Sequence, residues 1–324
     1  MKTLALLIKR EYWEHRGGFL WTPVWIAGAM LVFTLIGILT TEVVSSGVTI
    51  NVGPSLDMLR SSLDANDIAQ AANAFDLAQI TVAGMVGVGV FFVTFFYLLG
   101  ALYDDRRDRS VLFWKSLPVT DASTVASKAL TAMLLVPLIG LATATLAYLG
   151  FVLIIVAWTG LHGINALPAI LAAHTIGMFL RLFLLVAVGA LWALPTVGWL
   201  LFWSAWARSK PFLWAVVLPV VVLVMDSWVG ALGAHRIGDD LNLAGLCGRL
   251  LFSIMPGSWM RAAGVSGLPD VSIGIDDEHV LASVGPGKAL ALFTTPDLWI
   301  GVAGGLALLA AATWLRRRRI ETAV

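Results

Sequence analysis

Cysteine is almost absent: Cys247 stands alone among 324 residues, which excludes an internal disulfide and a cysteine-based metal cluster. Charge is scarce as well. Charged residues make up 13% of the chain, and 21 basic against 20 acidic side chains leave a net charge of +1, no footprint for nucleic acid. A phosphate-cradling G-x-x-x-x-G-K-[ST] loop is missing: in "GPGKAL", Ala289 stands where the hydroxyl residue belongs and the glycine spacing fails. The chain therefore does not hydrolyse ATP. It also lacks a G-x-S-x-G elbow and an H-E-x-x-H helix, so the motifs give no ground for calling it an enzyme. No repeat of 20–50 residues and no low-complexity linker divides it.

Apolar sequence dominates instead. Hydrophobic residues form 59% of the chain, and the mean hydropathy is +0.88. A soluble domain cannot cover that much apolar surface, so the composition predicts a polytopic membrane protein, all-α, built as one transmembrane domain. A span takes about 20 apolar residues, and six stretches qualify: about 19–41, 80–103, 123–158, 176–207, 211–230 and 297–315. The third would reach about 50 Å and so project beyond a bilayer. Pro137 and Pro195 mark expected kinks in the third and fourth. Arg208 to Pro211 make a tight polar turn between the fourth and fifth.

Lysine and arginine set the orientation. With both termini in the cytoplasm, the inner segments hold Lys2, Lys9, Arg10, Arg16, Arg106, Arg107, Arg109, Lys115, Lys128, Arg208, Lys210 and Arg316 to Arg319. The outer ones hold Arg60, Arg236, Arg249, Arg261 and Lys288. The reverse would put the C-terminal arginine run outside. Trp21, Trp206, Trp214 and Trp314 near the inner border, with Trp158, Trp228 and Trp299 near the outer, fit interfacial belts. The start, "MKTLALLIKREYWEHRGG", is cut by Lys9 and Arg10 too early for a signal peptide. It reads as an amphipathic surface helix, with Leu4, Ala5, Ile8 and Tyr12 on one arc. Two outer segments remain. Residues 42–79 could form short polar helices, and 231–296 contain "AGLCGRLLFSIMPGSWMRAAGV", too short to span and fit for re-entrant or interfacial helices before the last span.

The densest charge lies in "LYDDRRDRSVLFWKSLPVTD", with seven charges between Asp104 and Lys115. By the topology above, 104–122 is the main cytoplasmic loop. Asp104/Arg107 and Asp105/Arg109 could pair along a helix, but exposed pairs contribute only about 0.3–0.5 kcal/mol, a poor reason for such density. On a short helix Phe113, Trp114 and Leu117 share an arc opposite Lys115. Leu117-Pro118 then breaks it, and Asp121 or Ser123 can cap the next span. Aromatics rimmed by charge read either as a protein-docking site or as rings dipping into the lipid interface.

This loop, followed by "STVASKALTAMLL", resembles the signature of bacterial ABC type-2 transporter permeases. "LIKREYWEHRGGFLWTP" and "ALWALPTVGWLLFWSAWARSKPFLWAVVLP" are similar to that family's sequences too, over about 1–225 and weakly through the last span. The resemblance implies the permease subunit of an ATP-driven exporter in the bacterial cytoplasmic (inner) membrane, with a second permease chain as homo- or heterodimer partner. ATP and Mg would sit on a separate ATPase subunit, and this chain would carry no cofactor. It implies a coupling helix over Val111 to Leu117, with Leu112, Phe113, Trp114 and Leu117 facing the ATPase before Pro118. Arg106, Arg107, Asp108, Arg109 and Lys115 would form its charged surround.

The rival reading is a membrane-embedded enzyme or assembly anchor that uses 231–296. Its support is thin: "DDEH", Asp276 to His279, is a run of neighbours on a loop, poor geometry for one ion. An ATP-independent carrier would show inverted internal symmetry, and none is visible. Arg181 and Asp226, each set in an apolar span, are candidate pathway charges or a structural pair. Gly301 and Gly305 form a GxxxG in the last span, for which packing within the chain is the default expectation.

Overall fold

The computed structural model describes residues 2–44, 65–108, 119–232, 242–260, 262 and 285–321. Among them no strand occurs, and six helical runs are long and apolar enough to cross a membrane: Thr3–Thr40, Ile68–Arg107, Asp121–Leu161, Thr175–Trp192, Leu213–Ala231 and Pro296–Arg318. The chain is an all-α polytopic membrane protein. In order, the helices are α1 (Lys2–Arg16), α2 (Thr22–Val44), α3 (Ala65–Arg107), α4 (Asp121–Leu130), α5 (Val136–Leu161) and α6 (Leu167–Ala172). Then come α7 (Thr175–Trp192), α8 (Leu194–Trp206), α9 (Leu218–Ala231), α10 (Leu243–Phe252), α11 (Pro286–Ala291) and α12 (Pro296–Glu321).

Helix α3 is the hub. Half of its apolar window is buried, against about a tenth for the first and fifth spans. Val86, Phe95, Leu98 and Leu102 of α3 share one buried cluster with Val125, Ala132, Val136, Val197, Leu200 and Leu201. Around this core, side chains such as Trp25, Phe33, Val224 and Ile300 face outward. Water would penalise that surface, whereas hydrocarbon does not.

Prolines shape the spans. Three π-helical turns, Gly17–Trp21, Thr131–Leu135 and Leu213–Val217, each end two residues before a proline: Pro23, Pro137 and Pro219. A proline has no N–H for the carbonyl four residues back, so the hydrogen-bond register widens there. At the third, the carbonyl deprived by Pro219 is that of Ala215, and the Trp199 indole donates to it at 3.0 Å. Pro195 has a stronger effect. The stretch 176–207, expected to be one kinked helix, is instead interrupted at Ala193 between α7 and α8.

Two further expectations are corrected. Residues 65–79, read as part of a loop with separate polar helices, continue span two, so that α3 runs for 43 residues, about 64 Å. Neither Asp121 nor Ser123 caps α4; Thr120 does, its hydroxyl accepting from the Ser123 N–H at 3.2 Å while the Ser123 hydroxyl donates back to the Thr120 carbonyl. The GxxxG does pack within the chain. Gly305 lies against the Leu194 backbone and Gly198 against Gly305, so α12 and α8 approach at backbone distance.

Candidate functional site: a buried charge network

The ends of α1, α3, α4, α8 and α12 meet at one end of the bundle. Helix α1 turns Leu7 and Glu11 inward while Leu6, Lys9, Trp13 and Arg16 face out. Its buried arc is thus centred on an acid, and Ala5, expected on that arc, is exposed. Two turns separate Tyr97 from Asp105 on α3, and two turns separate Asp121 from Lys128 on α4, so each pair shares a face. Arg316 comes from the last turns of α12.

These groups form a continuous ladder. The Lys128 ammonium lies 3.2 Å from Glu11 and 3.5 Å from Asp105 Oδ1. The other oxygen of Asp105 meets the Arg316 guanidinium at 3.3 Å, and Arg316 Nε donates to Asp121 at 3.0 Å. The Tyr97 hydroxyl donates to Glu11 at 2.8 Å, and Arg10 lies 3.6 Å from the same carboxylate. Glu11, Asp105 and Asp121 thus balance Arg10, Lys128 and Arg316. Glu11 and Lys128 are each only 1% exposed. Isolated charges at that depth would cost several kcal/mol each, and mutual pairing offsets this. The network is therefore cooperative, and it clamps four helices. Asp105 is turned inward to Lys128 and Arg316; Arg109, its expected partner, lies outside the described residues.

Beside the ladder, α3 is fastened to α8. Arg106 donates to the carbonyls of Ser204 at 2.6 Å and Ala207 at 3.0 Å, closing the C-terminal end of α8. The Ser204 hydroxyl accepts from the Leu102 and Tyr103 N–H groups. Arg106 is thus half-buried, whereas Arg107 and Asp108 are exposed and pair with each other at 3.9 Å. Arg109, Leu112, Phe113, Trp114, Lys115, Leu117 and Pro118 lie outside the described residues, as does the Asp276–His279 run.

The opposite end has its own polar anchors. Asp76, 1% exposed on α3, accepts from the His174 N–H at 3.0 Å and faces His174 Nδ1 at 3.3 Å, capping α7 from a neighbouring helix. Gln79 donates to the Thr175 carbonyl, and the Tyr148 and Thr175 hydroxyls pair at 3.2 Å. On α10, Arg249 stacks 4.2 Å over Trp192 and donates to the Asp297 carbonyl, in space left by Gly301. Among the described residues Arg181 and Asp226 form no ion pair with each other.

The ligand atoms of Glu11, Glu14 and His15 lie within 4.8 Å of one another. Glu11 is already engaged by Lys128 and Tyr97, so this trio reads as the ladder's edge rather than a metal centre. Sequence reasoning missed Glu11, Lys128, Arg316 and Asp76 as site residues. The available signal was an acid or base at an inward position of an otherwise apolar arc. Comparison with protein-family models, curated proteins and solved structures gives no match.

Proposed function

We propose that the chain is the permease subunit of an ATP-driven transporter, an ABC type-2 exporter of the bacterial cytoplasmic membrane. A separate ATPase subunit, which holds ATP and Mg, works it through the 104–122 loop. The observation that carries this reading is the anchoring of that loop. Asp105 stands at its start and Asp121 at its far end; both bind Arg316, and Asp105 also binds Lys128. A push on the loop is thereby delivered to α3, α4 and α12 together, and through Glu11 to α1. Packed helices move as bodies, so a loop rooted in a closed ion network transmits displacement where a slack loop would absorb it.

In this reading Phe113 and Trp114 are the apolar anchors in the ATPase, with Arg107, Arg109 and Lys115 around them, and α1 is a second contact. Two permease chains enclose the pathway. The test is co-expression with ATP-binding-cassette ATPase subunits of the source organism, followed by co-purification and measurement of ATP hydrolysis. Trp114→Ala and Phe113→Asp are expected to lose the ATPase while the chain still inserts in the membrane. Undiminished co-purification with both variants would remove the loop from the mechanism.

A further inference from the structure

At the charged end, a groove of about 420 Å³ lies between α3 and the start of the fifth span. Phe96, Leu99, Gly100 and Tyr103 form one wall at helical spacing, and Pro211, Phe212 and Leu213 form the other, with Lys210 beside them. From Phe96 to Tyr103 the wall is about 10 Å long. Gly100 leaves it without a side chain midway. Phe96, Phe212 and Leu213 are exposed, so the groove opens on the side that faces hydrocarbon. Lys210 stands at the polar border in the turn Arg208–Pro211, exposed and with φ of 47°.

Charge on this end is one-sided. Arg107 and Asp108 pair with each other. Among the described residues the other exposed groups are Lys9, Arg16, Arg208, Lys210, Arg317 and Arg318, against Glu14 and Asp104. We propose that the groove is a phospholipid site selective for an anionic headgroup, with an acyl chain along the α3 wall and the phosphodiester on Lys210. An apolar slot closed at its polar end by a cation complements that molecule in both halves. Asp104 gives the proposal a signed test. Its carboxylate bends back over Gly100, where an added Cβ would lie 2.5 Å from it, so it stands beside the groove's lining and opposes a second negative charge. The inference rests on the membrane reading alone and stands whether or not an ATPase docks.

The full chain would be reconstituted in equal phosphatidylglycerol and phosphatidylcholine, extracted in mild detergent, and its retained lipids counted by native mass spectrometry. The wild-type chain is expected to retain phosphatidylglycerol over phosphatidylcholine. Lys210→Asn, which suits a left-handed backbone, should lose about tenfold of that retention, the effect of one charge-assisted contact. Asp104→Asn should raise it, and Gly100→Leu, which fills the slot, should lose both lipids. Equal retention of the two lipids by the wild-type chain would overturn the proposal. So would Lys210→Asn and Asp104→Asn shifting phosphatidylglycerol in the same direction, or a second copy of the chain occupying the slot in place of lipid.

Discussion

Replacing Lys128 with methionine removes the cation that bridges Glu11 and Asp105 and keeps most of the side-chain volume. Taking one partner from a buried pair costs about 3–5 kcal/mol, because the remaining charge is left without compensation. Here the low end applies. Glu11 keeps the Tyr97 hydroxyl at 2.8 Å and Arg10 at 3.6 Å, and Asp105 keeps Arg316 at 3.3 Å. A loss of about 3 kcal/mol corresponds to a fall of roughly 4–5 °C in the unfolding temperature of a chain this long. Tryptophan fluorescence of the purified protein, heated at one fixed scan rate, reports it through 14 indoles. The paired variant Glu11→Gln/Lys128→Met removes a carboxylate charge together with the ammonium. It should recover at least about 1 kcal/mol relative to the sum of the two single losses. A fall of less than about 1 °C for Lys128→Met, or strict additivity in the double variant, would refute the ladder as a cooperative unit.

Adjacent glycines in α12 should respond with opposite signs. An added Cβ at Gly305 would lie 2.5 Å from the Leu194 backbone, whereas Gly304 has nothing within 4 Å. Gly305→Ala should therefore destabilise by about 1–3 kcal/mol, and Gly304→Ala should stabilise by about 0.4–1 kcal/mol, read from the same thermal unfolding. Burial pushes the Cys247 thiol above its ordinary value, leaving less thiolate at neutral pH. Maleimide labelling of the folded chain should thus be slow at pH 7, quicken as pH rises, and reach completion on denaturation; rapid labelling at pH 7 would show the thiol to be open.

The spans were legible because crossing a membrane demands a long apolar run, which is a local property of sequence. The positions where the helices deform were half legible: Pro137 and Pro195 announce a missing N–H, but not whether the chain answers with a π turn or a break. Residues 65–79 deceived for the opposite reason. Asp76 and Gln79 look like loop residues, yet they are held by the start of α7, a contact about a hundred residues away in sequence. The ladder was illegible for the same cause. Lys128 and Arg316 counted in sequence as cations marking the inner side, and nothing local says that four helix ends will bury them against Glu11 and Asp105. Asp105 illustrates the point most sharply, since the partners it is buried against, Lys128 and Arg316, lie 23 and 211 residues away in sequence.

A cytosolic ATPase can work this chain only if the 104–122 loop is reached from the cytoplasmic side of the membrane. A Trp114→Cys chain in a Cys247→Ala background, probed with a membrane-impermeant maleimide, tests this directly. The loop should label in inside-out vesicles and remain protected in right-side-out ones. Labelling from the outer side alone would place the loop beyond the reach of any cytosolic ATPase and contradict the account.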